Sequence, residues 1–195
     1  MSNLSEHHMP SGSFNIPPQW QVTSAKPNTP KIVTHLTPQG LRLLRTPSKP
    51  ITDLKQAAQV AEWLKNTLLD AANQVGIEGV GLSAIQIGIP LQIFVAEING
   101  VLEVFINPKI KPTSPQKEID TEGCLSLPNI VVPVPRYKKI IVKYTTLQGT
   151  KTQKVLKGFN ARVVQHEFDH LQGKLITDYA LYPSQIKKAS TTVTS

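Results

Sequence analysis

His166-Glu167-Phe168-Asp169-His170 sets two imidazoles four residues apart, with a carboxylate directly after the first. On a helix, positions i and i+4 lie one above the other, so both rings can face one cation while Glu167 projects at the edge of that face. A divalent ion held by neutral imidazoles brings the pKa of water toward neutrality, and an adjacent Glu can take a proton and hand it on. The spacing predicts a hydrolytic centre built on a helix over 159–172, with Gly173 following at a natural C-cap position. The alternative is an exposed turn with two chance histidines, and a third ligand decides between them.

Downstream of the pair the candidates fail. Thermolysin-like peptidases take a Glu from a following helix, and no Glu follows Glu167. Metzincins extend the motif to a Gly and a third His; Gly173 matches the first, but Ile176 stands at the second. Asp178 is the only carboxylate beyond the helix and suits a helix stop or a surface role better than ligation. Upstream, the single cysteine lies in Glu122-Gly123-Cys124-Leu125-Ser126. A lone Cys is most often a small buried hydrophobe, yet a thiolate with two imidazoles leaves one coordination position open, as a catalytic site requires. Such ligands suit iron(II), zinc, cobalt and nickel alike. A Cys124 nucleophile with a histidine base is the other reading, although it needs only one of the two rings.

Gly79-Val80-Gly81-Leu82-Ser83-Ala84-Ile85-Gln86-Ile87-Gly88 has the spacing of neither a dinucleotide fingerprint nor a P-loop. A turn into a strand or buried helix explains it, and Gln86 offers a neutral amide to a developing oxyanion. With these three segments in this order, the chain resembles the peptide deformylase family, whose pattern is G-x-G-L-A-A-x-Q, then E-G-C-L-S, then H-E-x-D-H. Ser83 in place of the first Ala is the only departure within them. Further similarity runs through Phe105-Ile106-Asn107-Pro108, Val134-Pro135-Arg136 and Gln165, and the resemblance covers residues 31–182.

The resemblance implies an enzyme that removes the N-formyl group from formyl-methionyl nascent peptides. Cys124, His166 and His170 would hold one divalent ion, iron(II) by family habit, with zinc, nickel or cobalt as substitutes. Gln86 and the backbone N–H of Leu125 would polarise the formyl oxygen, and Glu167 would protonate the leaving amine, releasing formate. Val80, Leu125, the aliphatic stem of Arg162, and Val163 are implied neighbours of the methionine side chain, with Gly81 and Gly123 as further substrate-binding positions. For Val163, plain core packing stays open. Glu122 and Arg136 read as an ion pair supporting the Cys124 loop, or else as a solvated pair of no consequence.

Around the motifs the pattern is α+β: small mixed antiparallel sheets packed around a central metal-binding helix, with a long N-terminal helix. Thr52 or Asp53 caps that helix, and Leu54, Ala57, Ala58, Ala61, Leu64, Leu68 and Ala72 trace its apolar face. Segments 91–98 and 101–106 alternate and join through Asn99-Gly100, a hairpin signal; 139–147 and 151–156 form a second hairpin around Gln148-Gly149.

A chain of 195 residues with 39% hydrophobic content supports one domain with a sizeable core. No apolar run reaches membrane-spanning length, and one cysteine excludes an internal disulfide, which fits a reducing compartment and a cytoplasmic protein of bacterial type. Residues 1–30, rich in Ser, Asn, Pro and Gln and including His7-His8, read as a flexible tail without a secretory core and without arginine before Arg42. Residues 31–182 form the catalytic domain, and 183–195 read as a second tail. The net charge of +8 invites a nucleic-acid reading. Lysines alternate with apolar residues in 138–144 and 151–157, which fits the solvent face of strands better than RNA binding, and no DNA-binding or membrane partner is expected. A basic face could still favour weak ribosome association. Two rivals accompany the deformylase: a zinc endopeptidase, lacking its downstream ligand, and a basic ribosome- or RNA-associated domain with a vestigial site, lacking a reason to keep every reactive group.

Overall fold

The computed structural model describes residues 29–189, and the tail features at 1–28 and 190–195 lie outside the described residues. Asn99 and Gly100 both adopt positive φ, 52° and 79°, as a two-residue type I′ turn demands. The turn joins β2 (Ile93–Ile98) to β3 (Val101–Pro112), which pair from Ile98↔Val101 back to Ile93↔Ile106. With β1 (Gly81–Ser83), β6 (Lys139–Thr145) and β7 (Lys151–Lys157) they form an antiparallel five-stranded sheet in the order β1-β2-β3-β6-β7. β3 outruns its expected end at Ile106 through a register shift between Ile106 and Lys109. There Asn107, at φ 49°, turns its side-chain amide onto both main-chain groups of Ile51.

The alternation expected of β2 is not what buries it. Every residue of the strand except Glu97 is buried, because helices cover both faces. Ile93 and Val95 join one core with α2 (Leu54–Leu69), while Phe94, Ala96 and Ile98 join another with α4 (Gly158–Leu171). The Asp53 side chain caps α2 by accepting from Lys55 N–H. Its buried stripe is Ala57, Val60, Ala61, Leu64, Thr67 and Leu68, whereas Leu54 and Ala58 face solvent. The helix breaks at Asp70, so Ala72 belongs to the short α3 (Ala71–Val75), which buries Ala71 instead. Before these comes α1 (Pro38–Leu44), capped by Thr37 through Gly40 N–H.

A second, three-stranded sheet carries β4 (Lys117–Gly123), β5 (Ile130–Tyr137) and β8 (Lys187–Lys188) in that order. β5 contains Pro133 and Pro135, two apart, so both missing N–H groups fall on one edge. The ladder to β4 nonetheless runs unbroken from Lys117↔Tyr137 to Gly123↔Val131. On the other edge only Ile130 and Val131 pair, with Lys188 and Lys187. Pairing therefore continues past the domain end expected at residue 182. Gly173, at φ 70°, turns the chain out of α4. That helix packs on both sheets, touching β1, β2 and β7 of one and β5 of the other. Among the described residues no helix is long and apolar enough to cross a membrane.

Candidate metal centre

β4 ends at Gly123 and delivers the chain to Cys124. Side chains two apart on an extended strand point the same way, so Glu122 and Cys124 both reach α4. Cys124 Sγ lies 3.3 Å from His170 Nε2, and Glu122 Oε2 lies 3.0 Å from His166 Nδ1. One ligand atom each of Cys124, His166 and His170 falls within 4.8 Å of the others, and the two rings stand 5.0 Å apart at 70°. The turn after Cys124 is closed by Leu127 N–H donating to Cys124 O. Leu125 N–H makes no hydrogen bond to another described residue.

Glu122 is the hub behind the histidine. Arg136 donates from Nε and Nη2 to its two oxygens at 2.9 Å each, and Arg162 Nη1 donates to Oε1 at 2.7 Å. Burial alone would raise this carboxyl; hydrogen bonds from His166 and Arg136 win and hold it at about 2. The expected Glu122–Arg136 pair is therefore buried and extends further. Arg136 Nη1 also donates to Tyr179 Oη and pairs with Asp169, whose Oδ2 accepts from Tyr179 Oη at 2.7 Å. Asp169 and Tyr179 were not anticipated. Asp169 stands in the histidine motif itself, but nothing in the spacing says which cation it meets.

Glu167 is 3% exposed, and burial pushes its carboxyl up to about 7, against the lowering influence of His166 charge and a Ser83 hydrogen bond. A carboxyl near neutrality suits a general acid/base. Gln86 is clamped: its Oε1 accepts from Ser83 N–H at 2.8 Å, and its Nε2 donates to Ser126 Oγ at 3.1 Å and points at Cys124 Sγ, 3.8 Å away. Ser126 is thus a third residue beyond those expected, although it sits inside the cysteine motif.

The glycines of the first motif make room. A Cβ on Gly79 would lie 2.7 Å from Leu125 Cδ1, and one on Gly81 would lie 2.6 Å from Glu167 Oε1. Leu125 is buried in the α2 core and Val163 in the α4 core, with Val80 packed against the latter. Gly123 is exposed at the end of edge strand β4. Arg162 is buried with its head group committed to Glu122, Val134 O and Glu118 O, which leaves only its stem for any pocket wall.

The donor set fits a cation. With ligand bonds of about 2.0–2.3 Å, two donors of one tetrahedral ion stand about 3.5 Å apart, close to the 3.3 Å between sulfur and nitrogen here. Burial pushes His170 well below 6.5, reinforced by His166 and Arg136, so it is a neutral donor. Burial disfavours charge on His166 too, but hydrogen bonds to Cys124 and Glu122 overcome it and hold the ring well above 6.5. The surroundings of that ring attract positive charge.

A family model described as Polypeptide deformylase matches residues 31–185. The peptide deformylase of Thermotoga neapolitana is 41% identical over 140 residues, 71% of this chain and 82% of that protein. The crystal structure of a peptide deformylase from Synechococcus elongatus superposes with a TM-score of 0.72 at 29% identity, covering 85% of this chain and 86% of that one. A Met-Ala-Ser-bound class I type b peptide deformylase from Acinetobacter baumannii superposes with a TM-score of 0.68 at 28% identity, covering 78% and 99%.

Proposed function

Because the chain belongs to the polypeptide deformylase family, we propose that it hydrolyses the N-formyl group of formyl-methionyl nascent peptides with Cys124, His166 and His170 as metal ligands and Glu167 as acid/base. The observation that carries this reading is the convergence of those three donors beside the buried Glu167 carboxyl. A divalent ion bound there, iron(II) in our reading with zinc, nickel or cobalt as substitutes, would acidify water and polarise the formyl carbonyl.

The remaining work falls to the chain. Glu167 takes a proton from the attacking water and passes it to the departing amine, so formate and a free N-terminus leave together. Gln86 Nε2 and Leu125 N–H meet the charge growing on the formyl oxygen, one held by Ser126, the other free to donate. Glu122 keeps His166 oriented through Nδ1. Gly81 on edge strand β1 and Gly123 on edge strand β4 offer backbone groups to an extended peptide. Val80, Leu125, the Arg162 stem and Val163 border the first side chain. Methionine there agrees with the Met-Ala-Ser bound to the Acinetobacter relative.

Work on nascent chains belongs to a bacterial-type cytoplasm, and the lysines of β6 and β7 would favour weak ribosome contact. Lys143, Lys151 and Lys157 are exposed, while Lys154 is spent on Glu103. The test is formate release from formyl-Met-Ala-Ser against cleavage of an internal bond in a longer peptide. Formate alone is expected, and internal cleavage alone would overturn the reading in favour of an endopeptidase. Glu167→Gln should lower kcat by about a thousandfold or more while the bound metal measured by elemental analysis stays.

A further inference from the structure

We propose that the Ser83 hydroxyl is a positioning group that fixes the Glu167 carboxyl for proton transfer. The proposal rests on the deformylase reading above and assigns a role to the one residue at which the three sequence motifs depart from the family pattern. Ser83 is fully buried, and its Oγ lies 2.8 Å from Glu167 Oε2 and 2.9 Å from Glu167 O. The hydroxyl proton reaches either acceptor by rotation, so the group keeps a partner in every state of the carboxyl.

Strand geometry explains why position 83 can do this. Gly81 and Ser83 are two apart on β1 and so face the same way. Gly81 supplies space, since a Cβ there would lie 2.6 Å from Glu167 Oε1. Ser83 supplies the bond to the other oxygen. A terminal carboxyl torsion is otherwise broad, and proton transfer needs one orientation held to a fraction of an ångström. The same residue's N–H holds the Gln86 amide at 2.8 Å, so Ser83 ties the acid/base and the oxyanion donor to one strand.

Three variants separate the hydroxyl from packing. Ser83→Ala returns the family pattern, while Ser83→Thr and Ser83→Val share a shape and differ in the hydroxyl. Each is assayed metal-loaded for formate release from formyl-Met-Ala-Ser, and the Ala variant is crystallised with and without metal. We expect kcat to fall about tenfold in Ala, with KM within about twofold. Thr is expected to turn over several-fold faster than Val, and the Glu167 carboxyl to lose its single orientation in Ala. Wild-type kcat in Ala with Glu167 unmoved would overturn the proposal, as would an equal fall in Thr and Val. If the wild-type protein releases no formate, the deformylase reading fails by itself, and the Glu167 orientation in the Ala crystals then decides whether Ser83 positions it.

Discussion

Gly81 and Glu167 share one space, and the sequence alone hides it. A Cβ at residue 81 would stand 2.6 Å from Glu167 Oε1 and 2.9 Å from its Cγ, so Gly81→Ala must push the carboxyl aside. The expected result is a fall in kcat/KM of about a hundredfold with bound metal unchanged, checked by formate release and elemental analysis. An Ala variant with wild-type kinetics would show that Glu167 is not held where the structure puts it. At this scale the shared face of His166 and His170 was legible from spacing, because a helix fixes i and i+4 on one face, whereas Cys124 stood out only as the single cysteine of the chain. Ser126, Asp169 and Tyr179 were not. Their partners Gln86 and Arg136 lie 40, 33 and 43 residues away, and no local pattern reports such a pairing.

Gln165 shows how elements are fastened. Its side-chain amide imitates a strand, accepting from Tyr137 N–H and donating to Tyr137 O, both at 3.0 Å, while Nε2 also reaches Ala161 O. It thereby pins α4 to the end of β5, on the helix that carries both histidines. Gln165→Ala removes these bonds and leaves the half-buried main-chain groups of Tyr137 without this partner, so a loss of about 1–2 kcal/mol is expected in urea unfolding. A loss under about 0.5 kcal/mol, the level of an ordinary surface change, would mean that packing alone seats the helix. Hairpin β2–β3 and helices α2 and α4 were readable from Asn99-Gly100, the Asp53 cap and the histidine spacing. β4 and β5 had no such signal: the charged run of 117–123 and the prolines of 130–137 satisfy no amphipathic period, and they become strands only by pairing with each other.

Across the whole molecule, one buried charge network joins the second sheet to the central helix. Glu122 of β4, Arg136 of β5, and Arg162, His166 and Asp169 of α4 meet in it, with Tyr179 beyond. Hydrogen bonds from His166 and Arg136, winning over burial, lower the Glu122 pKa from 4.5 to about 2. Its stabilisation is therefore fully present above about pH 4.5 and is lost as the pH falls toward 2. In chelator, the stability gap between wild type and Glu122→Gln should be on the order of 3 kcal/mol at neutral pH and should close as the pH approaches 2. A gap independent of pH would remove the carboxylate charge as its source. What the sequence determined by itself was local: which residues could ligate, where a helix begins, where a hairpin turns, since each depends on neighbours within a few positions. The tertiary structure decided which long-range partners orient them, because a buried polar group must find a partner, and which partner is near depends on how the two sheets close around α4.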